Sequence, residues 1–259
     1  MDKVDTYLEN TMDENLMINK QSWDLASKRF FGRAALPDYG PYVPSEDKLN
    51  LFGDLSGLKV LDIGCGSGHS MKYIYSKQVE EIWGLDLSRE QIETAKQVVG
   101  INLDGKLFES PMEENPGIPL DYFDIVYSIY ALGWTLDLPR TLNNIYSYLK
   151  PGGTFIFSWE HPIHSRLTYY DKSLIFTKPY HDETATLHEA WKPTPAVYHH
   201  RKLSTYINEL INSGFFIEKV IDDIELPEES GQGKPEMWYS EYKASYYPAT
   251  FIIKCRKGK

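Results

Sequence analysis

Between Val60 and Asp86 the chain reads Val60-Leu61-Asp62-Ile63-Gly64-Cys65-Gly66-Ser67-Gly68-His69, then a helical interval, then Ile82-Trp83-Gly84-Leu85-Asp86. No other stretch restricts the possible folds as strongly. A short apolar run breaks into a turn with glycine at every second position, a helix follows, and a second apolar run ends on a carboxylate. Glycines without a Cβ let the main chain approach a ligand and allow positive φ. The helix after the turn points its unpaired N–H groups back at that ligand. A carboxylate closing the next strand is placed to accept two hydrogen bonds from a ribose diol. The unit predicts a site for a nucleoside-containing cofactor.

The dinucleotide fingerprint needs glycine at the last position of G-x-G-x-x-G, where this chain has His69. What stands instead is D-x-G-x-G-x-G, Asp62 to Gly68, with Asp86 ending the following strand. That arrangement resembles motif I of the class I S-adenosylmethionine (SAM)-dependent methyltransferases. Phe123-Asp124-Ile125-Val126 is similar to the opening of that family's fourth strand, and Leu149-Lys150-Pro151-Gly152-Gly153 before an apolar strand is another of its landmarks. The three fall in the family's order. Strong resemblance spans Leu55 to Glu160, with a weaker continuation to the C-terminus.

The resemblance implies an α/β fold: a Rossmann-like, doubly wound, seven-stranded, mostly parallel sheet whose last strand is antiparallel. Residues 1–50 are expected as an N-terminal helical cap and residues 51–259 as the methyltransferase domain, with a lid inserted after strand five at about 161–202. In the cap, Trp23, Ala26 and Phe30 fall at helical spacing before Gly32, and Ser45 is placed to cap a second helix through Leu49 and Phe52. Such a cap covers the sheet, and its aromatics can also touch cofactor or substrate.

Next come a helix from His69 to Lys77, a strand over Ile82–Leu87, and a capping-box helix opened by Ser88 and ended by Gly100. Strands follow at Lys106–Glu109, Asp121–Ile129 and Thr154–Trp159, with a helix marked by Leu142, Ile145 and Leu149 before the last. A helix capped by Ser204, with Ile207, Leu210 and Ile211 inward, leads to strands at Phe215–Asp222 and Ala249–Arg256.

By resemblance, Gly64, Cys65, Gly66 and Gly68 admit the methionyl part and sugar of SAM, and Asp62 supports the loop and the methionine amino group. Asp86 accepts from the ribose and Leu87 packs on adenine. Ser110, Pro111 and Met112 lie along the adenine, although the family's Asp followed by a small residue is missing there. Ser128 and Ile129 end the fourth strand at the carboxyl edge of the sheet, where ligands bind. Tyr130 and Trp134 just beyond are candidates to touch the sulfonium or the acceptor, since aromatic faces attract cations; ordinary core packing accounts for them equally well.

Six of the 7 histidines, His161, His164, His181, His188, His199 and His200, crowd the stretch after strand five. Pro162 disfavours a helical His161/His164 metal pair and no cysteine supports one, so no metal is expected. His164 and His200 are the candidate bases if the nucleophile is oxygen; a tertiary amine needs none. Glu160 directly follows strand five and borders the expected acceptor site. Val197-Tyr198-His199-His200-Arg201 resembles a His-Arg segment of a bacterial subgroup of small-molecule methyltransferases. Trp238, Tyr239, Tyr242, Tyr246 and Tyr247 either wall an apolar acceptor pocket or cover the sheet edge.

A net charge of −10 argues against a nucleic-acid-tracking surface. Cys65 and Cys255 form no disulfide framework, which fits a reduced, cytoplasmic setting. No apolar leader or membrane-length run is present. The expected activity is transfer of a methyl group from SAM to a small-molecule acceptor by in-line displacement, with no nucleic-acid or membrane partner. Two rivals carry the same turn. One is an NAD-dependent oxidoreductase, disfavoured by His69; the other is a non-catalytic SAM-binding or partner-binding module.

Overall fold

In β1 (Lys59–Ile63) Val60 faces one apolar layer and Leu61 the other, as a strand buried on both faces must. The computed structural model describes residues 10–188, 194–227 and 234–259. β2 (Glu81–Asp86), β3 (Leu107–Glu109), β4 (Phe123–Ile129) and β5 (Leu149–Glu160) follow in the chain. Two hairpins then intervene, β6 (Leu167–Tyr170) with β7 (Ser173–Phe176) and β8 (Ala185–His188) with β9 (Ala196–His199). β10 (Phe215–Ile221) and β11 (Thr250–Lys257) complete a seven-stranded sheet of order β10-β11-β5-β4-β1-β2-β3. β11 runs antiparallel to β10 and β5, and the pairs from β5 to β3 are parallel.

Parallel neighbours need crossovers, supplied by helices. α3 (His69–Tyr75) and α4 (Arg89–Val99) put Met71, Ile74, Ile92 and Val99 on one face of the sheet. α5 (Leu138–Tyr148) and α6 (Leu203–Asn212) put Leu142, Ile145, Tyr206 and Leu210 on the other. Ser88 caps α4 by accepting from the Gln91 N–H, while its own N–H donates to Asp86 in place of the expected capping-box partner. Gly100 ends the helix in the left-handed region.

Several boundaries differ from the sequence expectation. The N-terminal helix α1 (Met12–Ala26) begins about three turns before Trp23, capped by Thr11 and Glu14, and tightens to a 3-10 turn through Phe30. α2 (Glu46–Leu49) is a single turn, because Asn50 enters the left-handed region. Leu149 belongs to β5 rather than to the preceding helix. α6 starts at Leu203, so Ser204 lies inside it, and Ile211 faces solvent while Tyr206 packs inward. A short helix, α7 (Glu241–Ala244), capped by Ser240, precedes β11.

Arg166 and Asn19 tie the expected lid down. The fully buried Arg166 guanidinium donates to the carbonyls of Pro162, Pro179, Asp182 and His200, which joins both hairpins. Asn19 of α1 pairs with both backbone groups of Val197 at 2.9 and 2.7 Å, and Ser22 donates to Thr194. Residues 189–193 of the expected insertion lie outside the described residues.

Candidate functional site

Strand order reverses between β1 and β4, and at their carboxyl ends lies a cavity of about 760 Å3, the crevice expected at such a switch point. Its volume falls in the range of roughly 300–1,000 Å3 usual for small-ligand sites. Two groups of residues wall it. One comes from the turns after β1, β2 and β3; the other is mostly aromatic and comes from segments distant in the chain.

In the first group, Gly64 has φ +75°, and a Cβ there would stand 2.3 Å from that of Ala131. Only glycine lets the turn after β1 close against the second residue after β4. The Gly64 and Cys65 N–H groups donate to the Leu85 carbonyl at 2.7 and 3.0 Å, so the turn is pinned to β2. Gly66, at φ +51°, has nothing within 4 Å of where a Cβ would be, which leaves its main chain bare. Its N–H donates to Asp86 Oδ2 at 2.9 Å, and the Ser88 N–H donates to Oδ1 at 2.8 Å. Burial pushes the Asp86 carboxyl up to about 6 against the pull of those two donors.

Asp62 is 2% exposed, and neither its Oδ2 nor the buried Tyr127 hydroxyl that acts on it has a partner at hydrogen-bond geometry; burial raises its pKa well above the usual carboxylate range, opposed by Tyr127. A buried orphan acceptor on a cavity wall calls for a donor from whatever fills the cavity. Cys65, Leu87, Pro111, Met112 and Ile129 share this wall. Gly68, Ser110 and Ser128 do not. Gly68 lies against Ala95 of α4, Ser110 is buried and donates to the Pro111 carbonyl, and Ser128 donates to the Ile63 carbonyl at 2.8 Å. They hold the wall from behind.

Tyr130 and Trp134 both line the second group. Tyr130 follows β4 at φ +53°, an uncommon conformation for a bulky residue and one that concentrates at functional sites. Thr250 Oγ1 donates to the Pro41 carbonyl at 2.9 Å, so the Tyr130 hydroxyl must be the donor in its 2.8 Å contact with Thr250. Trp134 makes edge contacts with Trp23 of α1 at 5.3 Å and with Trp159 of β5 at 5.8 Å, and a tilted one with Tyr198 of β9 at 5.6 Å. Arg201 holds the Trp134 turn by donating to the Gly133 and Thr135 carbonyls.

Glu160, the last residue of β5, stands among these rings. Its Oε2 accepts from Trp238 Nε1 at 2.6 Å and from the Tyr239 hydroxyl at 2.8 Å. Burial pushes the carboxyl up to about 7, opposed by those two donors and by nearby Lys243 and Arg166.

The candidate bases His164 and His200 are off the wall. His164 stacks on Tyr239 at 4.9 Å, and its Nε2 donates to the Trp238 carbonyl at 2.8 Å. His200 Nδ1 lies 2.7 Å from the Tyr198 hydroxyl. Burial drives the two imidazoles down to about 4 and about 3, so both are neutral at pH 7 and packed behind the rings. Of the C-terminal aromatics, Trp238 and Tyr239 reach the cavity, Tyr247 is buried and Tyr246 faces solvent. Trp23 and Trp159 read in sequence as helix and strand core positions. Nothing local in the sequence shows that they meet at Trp134.

A family model described as a methyltransferase domain matches residues 38–200. An uncharacterized protein of Haemophilus influenzae is 30% identical over 223 residues, which cover 81% of this chain and 85% of that protein. The malonyl-[acyl-carrier protein] O-methyltransferase of Pectobacterium atrosepticum is 33% identical over 150 residues, 54% of this chain; the match covers 53% of that enzyme. The crystal structure of an S-adenosylmethionine dependent methyltransferase from Mesorhizobium loti superposes with a TM-score of 0.68 at 27% identity, over 81% of this chain and 95% of that one.

Proposed function

The chain belongs to the methyltransferase-domain family and uses S-adenosylmethionine, and we propose that its acceptor is a small molecule held among the aromatic residues of the cavity. One observation carries this reading: the bare turn at Gly66 and the aromatic group around Trp134 wall the same cavity. When bound, SAM supplies a methyl carbon made electrophilic by a positively charged sulfur.

In this reading Gly64 and Gly66 admit the methionyl part and sugar, and the orphan oxygen of Asp62 takes the amino group. Asp86 accepts from the ribose, while Leu87, Pro111 and Met112 flank the adenine. Gly68, Ser110 and Ser128 act by support. Tyr130 and Trp134 touch the acceptor, and the rings around them exclude water and align the reactants, the main service this chemistry needs. α1 closes the site by reaching both partners. Lys20 donates to the Leu87 carbonyl at 3.3 Å and Asp24 accepts from Ser88 at 2.6 Å, while Asn19 holds β9.

A small acceptor is supported by the cavity's size, by the aromatic rings on its wall and by the net charge of −10, which disfavours a phosphate-tracking surface. Among the described residues no helix is long and apolar enough to cross a membrane. Incubation with methyl-labelled SAM and separate metabolite, tRNA and protein fractions of one cell extract tests the reading. Label in the metabolite fraction supports it, and label confined to tRNA or protein rejects it.

A further inference from the structure

The carboxylate of Glu160 is an odd occupant of an aromatic wall. It is 9% exposed, and the rings of Tyr130, Trp134, Trp159, Tyr198, Trp238 and Tyr239 line the same cavity. Trp238 and Tyr239 both donate to Oε2, which fixes the group and leaves Oε1 with no hydrogen-bond partner among the described residues. β5 carries it past the end of β4: Ser158 pairs with Ile129, the last residue of β4, and Glu160, two positions further, is paired on its other side with Thr250 of β11. A buried carboxylate costs stability unless something compensates it; Lys243, its ammonium 5.8 Å over the Trp238 ring, and Arg166 supply part of that compensation from outside the cavity wall. Rings placed around an anion offer their negative faces to a cation, and the two features together describe a receptor for an ammonium group.

We propose that the acceptor is an amine that enters as its ammonium ion among these rings, and that Glu160 Oε1 takes the proton that frees the nitrogen lone pair. The inference rests on the methyltransferase reading above. An N–H bond breaks, its proton passes to Oε1 and the bonding pair stays on nitrogen. That pair forms the new N–C bond with the sulfonium methyl while the C–S pair returns to sulfur, leaving an N-methylammonium ion and a neutral thioether. The proton on Glu160 then leaves to water.

The surroundings suit a group that must hold and release a proton near neutrality. Burial holds the Glu160 carboxyl at about 7. Lys243 of α7 and Arg166 of the turn before β6 are the cations that act on it. The phenols of Tyr130, Tyr198, Tyr239 and Tyr247 that face it are all pushed up by burial and by Glu160 itself, and stay neutral. His161 and His164, just beyond Glu160 in the chain, and His188 of β8, whose ring lies 5.8 Å from both Trp238 and Tyr198 on the cavity wall, are pushed down by burial. Glu160 is therefore the group among them that changes charge between pH 6 and 8.

Calorimetry on protein saturated with S-adenosylhomocysteine tests this, using phenethylamine, tryptamine and cyclohexylamine, each against its matched alcohol. At pH 8 at least one amine should bind about tenfold or more tighter than its alcohol, and the preference should fade as pH falls through about 7. Glu160→Gln should abolish the preference while S-adenosylhomocysteine affinity stays within about twofold. Tyr239→Phe, which removes one donor to Oε2, should move the midpoint to higher pH and keeps the test valid if Glu160→Gln does not fold. Equal binding of amines and alcohols, or a preference that survives Glu160→Gln, overturns the proposal. Loss of S-adenosylhomocysteine binding by the wild-type protein would instead strike at the methyltransferase reading.

Discussion

The two groups of residues that wall the cavity are built in opposite ways. The turns after β1 and β2 lie within one β-α-β unit, where backbone bonds from Gly64, Cys65 and Gly66 fix the geometry. The aromatic group has no local origin: Trp23, Trp134, Trp159, Tyr198 and Tyr239 come from α1, the turn after β4, β5, β9 and the segment before α7. Side-chain clamps assemble it, with Asn19 on Val197, Arg201 on Gly133 and Thr135, and Thr250 between Pro41 and Tyr130. Such a division lets one half keep a common cofactor while the other changes its acceptor by altering loops.

If the first group is as rigid as its geometry implies, the largest effect comes from a single methyl. Gly64→Ala places a Cβ on Ala131 at positive φ, and chemical denaturation should show a loss of roughly 2–4 kcal/mol, with SAM binding lost as well. Asp86→Ala should leave folding closer to intact and weaken SAM by about 30-fold or more, since the proposed acceptor of the ribose hydrogen bonds is removed. Unchanged affinity by calorimetry would reject the ribose assignment.

The comparison sharpens at Arg201. Arg201→Met strands the Thr135 carbonyl and should cost about 1–3 kcal/mol of stability. If the halves are independent, SAM affinity should change by less than about threefold, whereas acceptor turnover should collapse; a parallel loss of both would join the halves into one unit.

The smallest effect concerns the buried histidines. Their folded pKa values, about 4 for His164 and about 3 for His200, lie below the ordinary value near 6.5. Each therefore contributes stability that is present above pH 6.5 and lost as pH falls toward those values. Asp86 and Glu160, raised to about 6 and about 7, act in the opposite sense. His200→Gln removes one contribution, so its denaturation midpoint should fall less steeply than that of the wild type between pH 6.5 and 4. An identical slope would mean that this ring is not held neutral by the fold.

How much of this was legible in the sequence follows the same division. The places of Asp62, Gly64, Gly66 and Asp86 on the cavity wall could be read because they follow from backbone geometry and short spacing, and strand alternation located the sheet. Gly68 shows the limit: its motif position is right, yet its service is to let α3 meet α4. His164 and His200 attracted attention by residue type, but burial, which no local pattern encodes, removed them from the wall. The Glu160 pairing with Trp238 and Tyr239 spans nearly eighty residues of chain. Tertiary assembly alone creates it.

A crystal structure with bound S-adenosylhomocysteine tests the central claim most directly. The account predicts the ribose hydroxyls on Asp86, the adenine between Leu87 and Met112, and the sulfur facing the rings around Trp134 and Glu160. A ligand bound elsewhere, or one whose sulfur points away from that aromatic group, would contradict it.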